Sequence, residues 1–320
     1  MSVETGTEGS SADWSANRGL VVLAVAYQWF YNGANFIAFK VAGDAFHPLM
    51  VATLRFLVAG LLLLPFAIAR RKRTRLSPGA LGRAALIGVI MLVASQAMAI
   101  WGTHFLPAGV ASVFGSAPPL FLALFAWAVF KQALTRRQVA GVLVGFAGLA
   151  LMGWSSAHAG GFRPEGAALT LVASAAWAFG SLLATRWRLP EDPVVALAAQ
   201  LMAAGLTLLA IVLASGIFAD TRWTRITPAA WGSLAFLIFA STLVGYAVFL
   251  ALNARVSPTL ANTFNYVAPV IALGLAALLL HEGLTVTKVA AAVIALVGVA
   301  LMIGGKPDAD PSRASKRRLA

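Results

Sequence analysis

The groups that make and break bonds are scarce in this chain. It has no cysteine, which excludes disulfides, thiolate catalysis and Cys-ligated metals. It has no HExxH pair, no GxSxG turn and no GxxxxGK loop, so metalloprotease, serine-hydrolase and P-loop chemistry are absent from it. What it offers is neutral polar side chains set in apolar surroundings. Asn262, Asn265 and Tyr266 stand at i, i+3 and i+4 and therefore share one helix face. Ser112 and Gly115 occupy the same positions 150 residues earlier. Amides and hydroxyls in such places hold the polar end of a solute by reversible hydrogen bonds worth about 0.5 to 1.5 kcal/mol each, or they bond helix to helix. Two tryptophans, Trp29 and Trp177, fall in the middle of apolar runs. Each ring there packs against a neighbour or faces a cavity suited to a flat apolar ligand with one polar end. Pooled, Gln96, Trp101, Ser112, Trp177, Tyr246, Asn262, Asn265 and Tyr266 are the expected substrate-lining set.

Charge inside the apolar runs is rarer still, since it costs about 2.5 to 3.5 kcal/mol at a helix centre on insertion scales. Arg55 is the clear case. It stands seven residues beyond Pro48, or roughly 10 Å along a helix. Its guanidinium either snorkels to the outer interface, pairs with helix-end carbonyls, or serves the substrate path, where its forked donors suit a carboxylate. Asp44, Glu165, Glu191, Asp192, Asp220 and Glu282 all lie at span ends or in loops, which disfavours a buried carboxylate relay for protons. Glu282 reads as an interfacial anchor or a partner of Lys288, and His104 and His281 lie at similar depth. No metal or cofactor is expected.

These residues must be positioned by a membrane-embedded scaffold. Of 320 residues, 60% are hydrophobic and only 11% charged, well above the ~45 to 50% apolar content of soluble domains. Apolar runs of spanning length fall at about 19–39, 48–69, 82–104, 108–130, 137–154, 166–185, 193–216, 229–251, 257–280 and 286–304. The formal net charge is +13, yet its distribution points to lipid and not to nucleic acid. With the N-terminus inside, the clusters at 70–75 and 313–318, with Lys131, Arg136 and Arg137, fall on the cytoplasmic side. Only Lys40, Arg163, Arg222, Arg225 and Lys288 fall outside. That asymmetry predicts both termini in the cytoplasm and an inner (plasma) membrane location.

The second half repeats the first. At an offset of 150, Phe114 meets Phe264, Pro119 meets Pro269, Leu134-Thr135 meets Leu284-Thr285, and Gly148 meets Gly298. Upstream the register slips, so that Pro48 and Gly60 overlay Pro193 and Gly205, and Trp29 overlays Trp177. Five spans per copy is odd, so the copies insert in opposite orientations and enclose a site near the bilayer midplane. The expected fold is all-α: ten transmembrane helices as two inverted five-helix repeats. A cytoplasmic tail, 1–18, precedes the first repeat, 19–154. An extracytoplasmic connection, 155–165, leads to the second, 166–304, and a basic cytoplasmic tail, 305–320, ends the chain. Pro118-Pro119 and Pro269 are expected to break the fourth and ninth helices, and Gly141, Gly145 and Gly148 with Ala291, Ala295 and Gly298 to form close-packing stripes.

With the repeat and topology in place, the chain resembles the drug/metabolite transporter superfamily, specifically its ten-span EamA-type members. The resemblance spans residues 19 to 305. It rests on Asn35-Phe36-Ile37-Ala38-Phe39-Lys40, on Pro48 with Leu54-Arg55-Phe56, on Ala268-Pro269 with His281-Glu282, and on the paired Leu-Thr starts at 134 and 284. One position departs: Gln132 stands where the family commonly has a Glu matching Glu282. The resemblance implies a transporter of small organic solutes, an exporter or exchanger working by alternating access, and is strongest to the branch that exports amino acids, aromatic ones especially. A membrane enzyme or receptor, the other class, needs a metal cluster, buried carboxylates or a soluble domain that the sequence lacks.

Overall fold

The computed structural model describes residues 18–71, 77–129, 131–159, 162–256, 260 and 263–303. Both predicted tails and Asn262 lie outside the described residues. Within them every regular element is a helix. In chain order these are α1 (Arg18–Ala45), α2 (Pro48–Arg71), α3 (Pro78–Gly88), a π-helical segment (Val89–Ala97) and α4 (Met98–His104). They continue with α5 (Ala108–Gly115), α6 (Pro118–Ala128), α7 (Arg136–Ala159), α8 (Pro164–Arg186) and α9 (Pro193–Ala214). After the short α10 (Ile217–Asp220) and a 3₁₀ turn (Trp223–Arg225) come α11 (Pro228–Phe236), a second π segment (Leu237–Val244) and α12 (Gly245–Arg255). The chain closes with α13 (Phe264–Leu279) and α14 (Val286–Ile303).

Seven stretches among the described residues are helical, long and apolar enough to cross a membrane, and α13 and most of α14 form two shorter apolar helices. α1, 28 residues long, carries Gln28, Asn32 and Asn35 within its apolar sequence. Large apolar side chains such as Leu143, Trp154 and Leu278 are exposed on the outer surface, where lipid and not water is the compatible solvent. The molecule is a polytopic helical membrane protein. The third span begins at Pro78, earlier than the apolar run at 82, because Ser77 caps the helix from outside that run.

Helix starts follow from local chemistry. Ser77, Asp192 and Thr227 each accept a hydrogen bond from the first turn, and each is followed by Pro at the first helical position. There the missing N–H costs nothing and the fixed φ suits the helix. Several such devices recur at the 150 interval. Ser77 accepts from the Ala80 N–H and Thr227 from that of Ala230. Thr135 accepts from the Gln138 N–H and Thr285 from that of Lys288. Lys131 and His281 both adopt positive φ. Each lies in a turn closed by a bond from the next residue, Gln132 to the Ala126 carbonyl and Glu282 to that of Ala276. This is the left-handed helix stop usually given to glycine.

The helices close on small residues. α7 packs along α14 and α2 along α9. A β-carbon on Gly298 would collide with the Gly145 backbone, and one on Gly148 with Ala295. Gly60 rests on Met202 while Gly205 rests on Leu57, a reciprocal pair of contacts in which positions 60 and 57 correspond to 205 and 202 at an offset of 145. Pro118 begins α6 after the break at Ser116 and Ala117. Pro269, by contrast, lies inside α13, which continues through it. The expected interruption is therefore not a helix end in the ninth span, where only the bond of the missing N–H is lost.

Glu282 does not pair with Lys288, whose Nζ donates to the Gly283 carbonyl at 2.9 Å. Its carboxylate instead accepts the Ala108 N–H at 2.5 Å and the Gly109 N–H at 3.1 Å, capping α5 from across the bundle. Beside it Asp44 bridges Lys40 and His104, each at 3.0 Å. A carboxylate on two free helix N–H groups is a charge-assisted contact at the positive end of the dipole. Glu282→Ala is expected to cost about 0.5 to 2 kcal/mol, read as a lower thermal midpoint in detergent. Gly298→Leu is expected to be worse, because a side chain forced between two backbones separates α7 from α14; loss of the monodisperse species on size exclusion is the readout.

Candidate functional site: a central polar cavity

The π segments are where the middle of the bundle departs from regular helix. A π turn bonds i to i+5 and admits an extra residue, a distortion found mostly at functional sites. The first ends in Ser95-Gln96-Ala97 and the second contains Ser241-Thr242. Thr242 Oγ1 donates to the Leu237 carbonyl five residues back at 2.8 Å, so its hydroxyl is fixed by the wide turn itself. Gln96 of the first and both Ser241 and Thr242 of the second meet on one side chain, Arg55.

Arg55 is 3% exposed and does not snorkel. Its Nε donates to Thr242 Oγ1 at 2.8 Å, one Nη to Ser241 Oγ at 3.0 Å and the other to Gln96 Oε1 at 3.3 Å. The guanidinium lies 5.5 Å over the Phe39 ring and 5.2 Å over that of Phe56. Neutral acceptors and ring faces supply favourable contacts to a desolvated cation. Asp44 and Glu282 are committed elsewhere, Asp44 to Lys40 and His104 and Glu282 to the start of α5.

Around this cation opens a cavity of about 160 Å³, lined from α1, α2, the first π segment, α4, α5, α6, α8, the second π segment, α12 and α13. Five of the expected residues line it: Gln96, Ser112, Trp177, Tyr246 and Asn265. Trp101 does not. It packs on the core between α1, α2 and α9, with its ring 5.9 Å from that of His47. Tyr266 does not line it either, and packs with the cluster centred on α5, α7 and α14; being one residue from Asn265 turns it about 100° away. Trp29 also faces elsewhere, its indole donating to Thr263 Oγ1 at 2.9 Å.

The expected lining set leaves out a stripe on α1, although Gln28, Asn32 and Asn35 of the first span are plausible site material by their type. Asn32, Asn35, Phe36 and Phe39 all line the cavity at i, i+3, i+4 and i+7, the spacing of a single helix face. That spacing was the available signal. The Asn35 side-chain oxygen is buried without a hydrogen-bond partner. Other walls present acceptors by a different route. The hydroxyls of Ser112, Ser116 and Thr170 each donate to a backbone carbonyl three or four residues back, at 2.6, 2.7 and 2.8 Å, which leaves their oxygens able to accept. Rings of Tyr31, Phe36, Trp177 and Tyr246 cover much of the remainder. The arrangement offers hydrogen-bonding groups, one positive charge and aromatic surface. Among the described residues no cluster suited to a metal ion occurs.

Comparison with known proteins gives this central cavity its context. The chain is 32% identical over 278 residues to the uncharacterized inner membrane transporter YedA of Escherichia coli K12, covering 86% of this chain and 87% of that protein. It is 26% identical over 297 residues to a probable amino-acid metabolite efflux pump of Salmonella typhimurium, covering 91% and 96%. A crystal structure superposes with a TM-score of 0.62 at 19% identity, covering 89% of this chain and 96% of the other, a likeness of fold. The profile of the EamA-like transporter family matches residues 19–154 and again residues 164–304. The chain therefore belongs to the EamA-like transporters of the drug/metabolite transporter superfamily, and is a transporter and not an enzyme.

Proposed function

We propose that this transporter moves small organic solutes, amino acids and aromatic ones among them, across the inner membrane as an exporter or exchanger. The observation that carries the reading is the central cavity, walled by both halves of the chain and furnished with hydrogen-bonding groups beside aromatic rings. Its 160 Å³ is close to the ~150 Å³ of a cavity that accepts a benzene-sized ring. The amino-acid assignment is supported by the name carried by the Salmonella relative.

Alternating access between two inverted five-helix repeats is the mechanism we infer. Three observations favour it. The capping contacts recur at an interval of 150, the family profile matches twice, and the π segments lie at corresponding places in the third and eighth spans. With five spans per half the copies face opposite ways, and the basic residues then put both termini in the cytoplasm. Gln96, Ser112, Trp177, Tyr246 and Asn265 act as substrate contacts in this reading.

Reconstitution in liposomes with labelled amino acids is the direct test, and uptake above empty vesicles is expected. Asn265→Ala should raise the half-saturation concentration several-fold with insertion unchanged, since one good hydrogen bond is worth about 0.5 to 1.5 kcal/mol. A second expectation concerns energy. No described carboxylate lines the cavity, so transport should run as exchange or facilitated diffusion. Uphill accumulation driven by an imposed pH gradient alone, and abolished by Glu282→Gln, would contradict this.

A further inference from the structure

We propose that the cavity is built for an α-amino acid in one orientation, with the substrate carboxylate on Arg55 and its ammonium group on the side-chain oxygen of Asn35. The inference rests on the transport reading above and names the chemistry by which that site selects its substrate.

Two observations point to it independently. The first is a buried cation held only by neutral groups. Arg55 has five N–H donors, and three are taken by Thr242, Ser241 and Gln96. Two remain, one on each terminal nitrogen, and a carboxylate has two oxygens to receive them in the forked geometry that arginine favours. A desolvated cation gains most from an anion, and the salt bridges among described residues leave Arg55 out. The second is a buried acceptor with nothing to accept. Asn35 is 8% exposed, its oxygen has no partner, and it lines the same cavity. A buried acceptor left unpaired costs roughly 1 to 3 kcal/mol, and an ammonium group relieves that cost.

The two groups line the same small cavity. The Arg55 guanidinium stands over Phe39, and Asn35 is four residues earlier on α1, about 6 Å along the helix and on the same face. Carboxylate and amino group sit on one carbon in an α-amino acid. Because both protein groups line one cavity, a single such molecule can present its carboxylate to one and its ammonium to the other. The side chain then faces the rings. Polarity is set by the difference between the halves. Under the overlay of Pro48 on Pro193, the place of Arg55 in the second half falls to Gln200, which does not line the cavity, so Arg55 is the one charged side chain among the described lining residues and the cavity offers one carboxylate site.

The test uses the full chain in proteoliposomes with phenylalanine, leucine and serine, each beside its amide and its deaminated acid. On the wild-type protein the amino acids should compete for labelled phenylalanine uptake or counterflow at least tenfold better than the amides, which lack the carboxylate. Arg55→Gln should erase that preference, Arg55→Lys should keep part of it, and Asn35→Ala should erase the preference over the deaminated acids alone. Equal competition by amino acids and amides on the wild-type protein overturns the assignment of Arg55 and leaves the transport reading intact. Movement of none of the three amino acids under any gradient counts against the amino-acid reading itself, and the present inference falls with it. Should Arg55→Gln fail to insert, the wild-type comparison still decides.

Discussion

A positive charge that cannot reach water must be accommodated by the protein around it, and the centre of this molecule is arranged around that requirement at Arg55. The bilayer interior offers no hydrogen-bond partners. The guanidinium therefore collects its acceptors from the neighbours of α2: Gln96 from one π segment, and Ser241 and Thr242 from the other. Three spans are thereby tied to a single side chain. The wide turns have a physical role in this. Thr242 is anchored to a carbonyl five residues back, so adjacent residues 241 and 242 can both address the same guanidinium.

Holding polar groups at the centre requires the apolar rods to close elsewhere without help from the hydrophobic effect, since lipid is as apolar as leucine. Packing then relies on close backbone approach. Glycines and alanines provide it where α7 meets α14 and where α2 meets α9. The pattern is complementary: tight small-residue seams at the periphery, and bulky polar and aromatic side chains facing a space in the middle. The buried core accordingly contains many alanines, and the larger apolar side chains are spread between core and lipid.

Much of this was legible in the sequence, for reasons that differ by feature. The stretches that cross the membrane and the glycine stripes depend on composition and helical spacing, which a linear chain displays directly. The repeat was visible because Pro, Thr and Gly hold positions that backbone geometry constrains, and the structure puts Thr135 and Thr285 to the same capping use. The π segments were not legible, because ordinary apolar sequence underlies both, and the choice between i+4 and i+5 bonding is settled by tertiary contacts. The direction of Arg55 depended on acceptors 41 and 187 residues away. Tyr266 and Trp101 fell off the cavity because a helix turns about 100° per residue, so a polar or aromatic type in the right span still faces the wrong way. Asn35 was in plain view on α1, but its importance lies in a missing partner, which only coordinates reveal.

The two halves share their backbone devices and differ in what those devices present, and this is where function departs from symmetry. Lys131 and His281 make the same left-handed stop, and the bonds from Gln132 and Glu282 to the carbonyls of Ala126 and Ala276 match at an interval of 150. Each stop aims the following side chain. Glu282 is aimed at the start of α5 and receives two N–H groups there, whereas Gln132 is exposed. Charge-assisted bonds are roughly twice as strong as neutral ones, so even an equally placed glutamine would hold its end of the bundle more weakly. Arg55 and Gln200 differ in the same sense, a charge in one half against an amide in the other. The halves thus share a scaffold of caps, seams and wide turns and differ in charge at 55 and 282, where one half carries an ionised side chain and the other an amide.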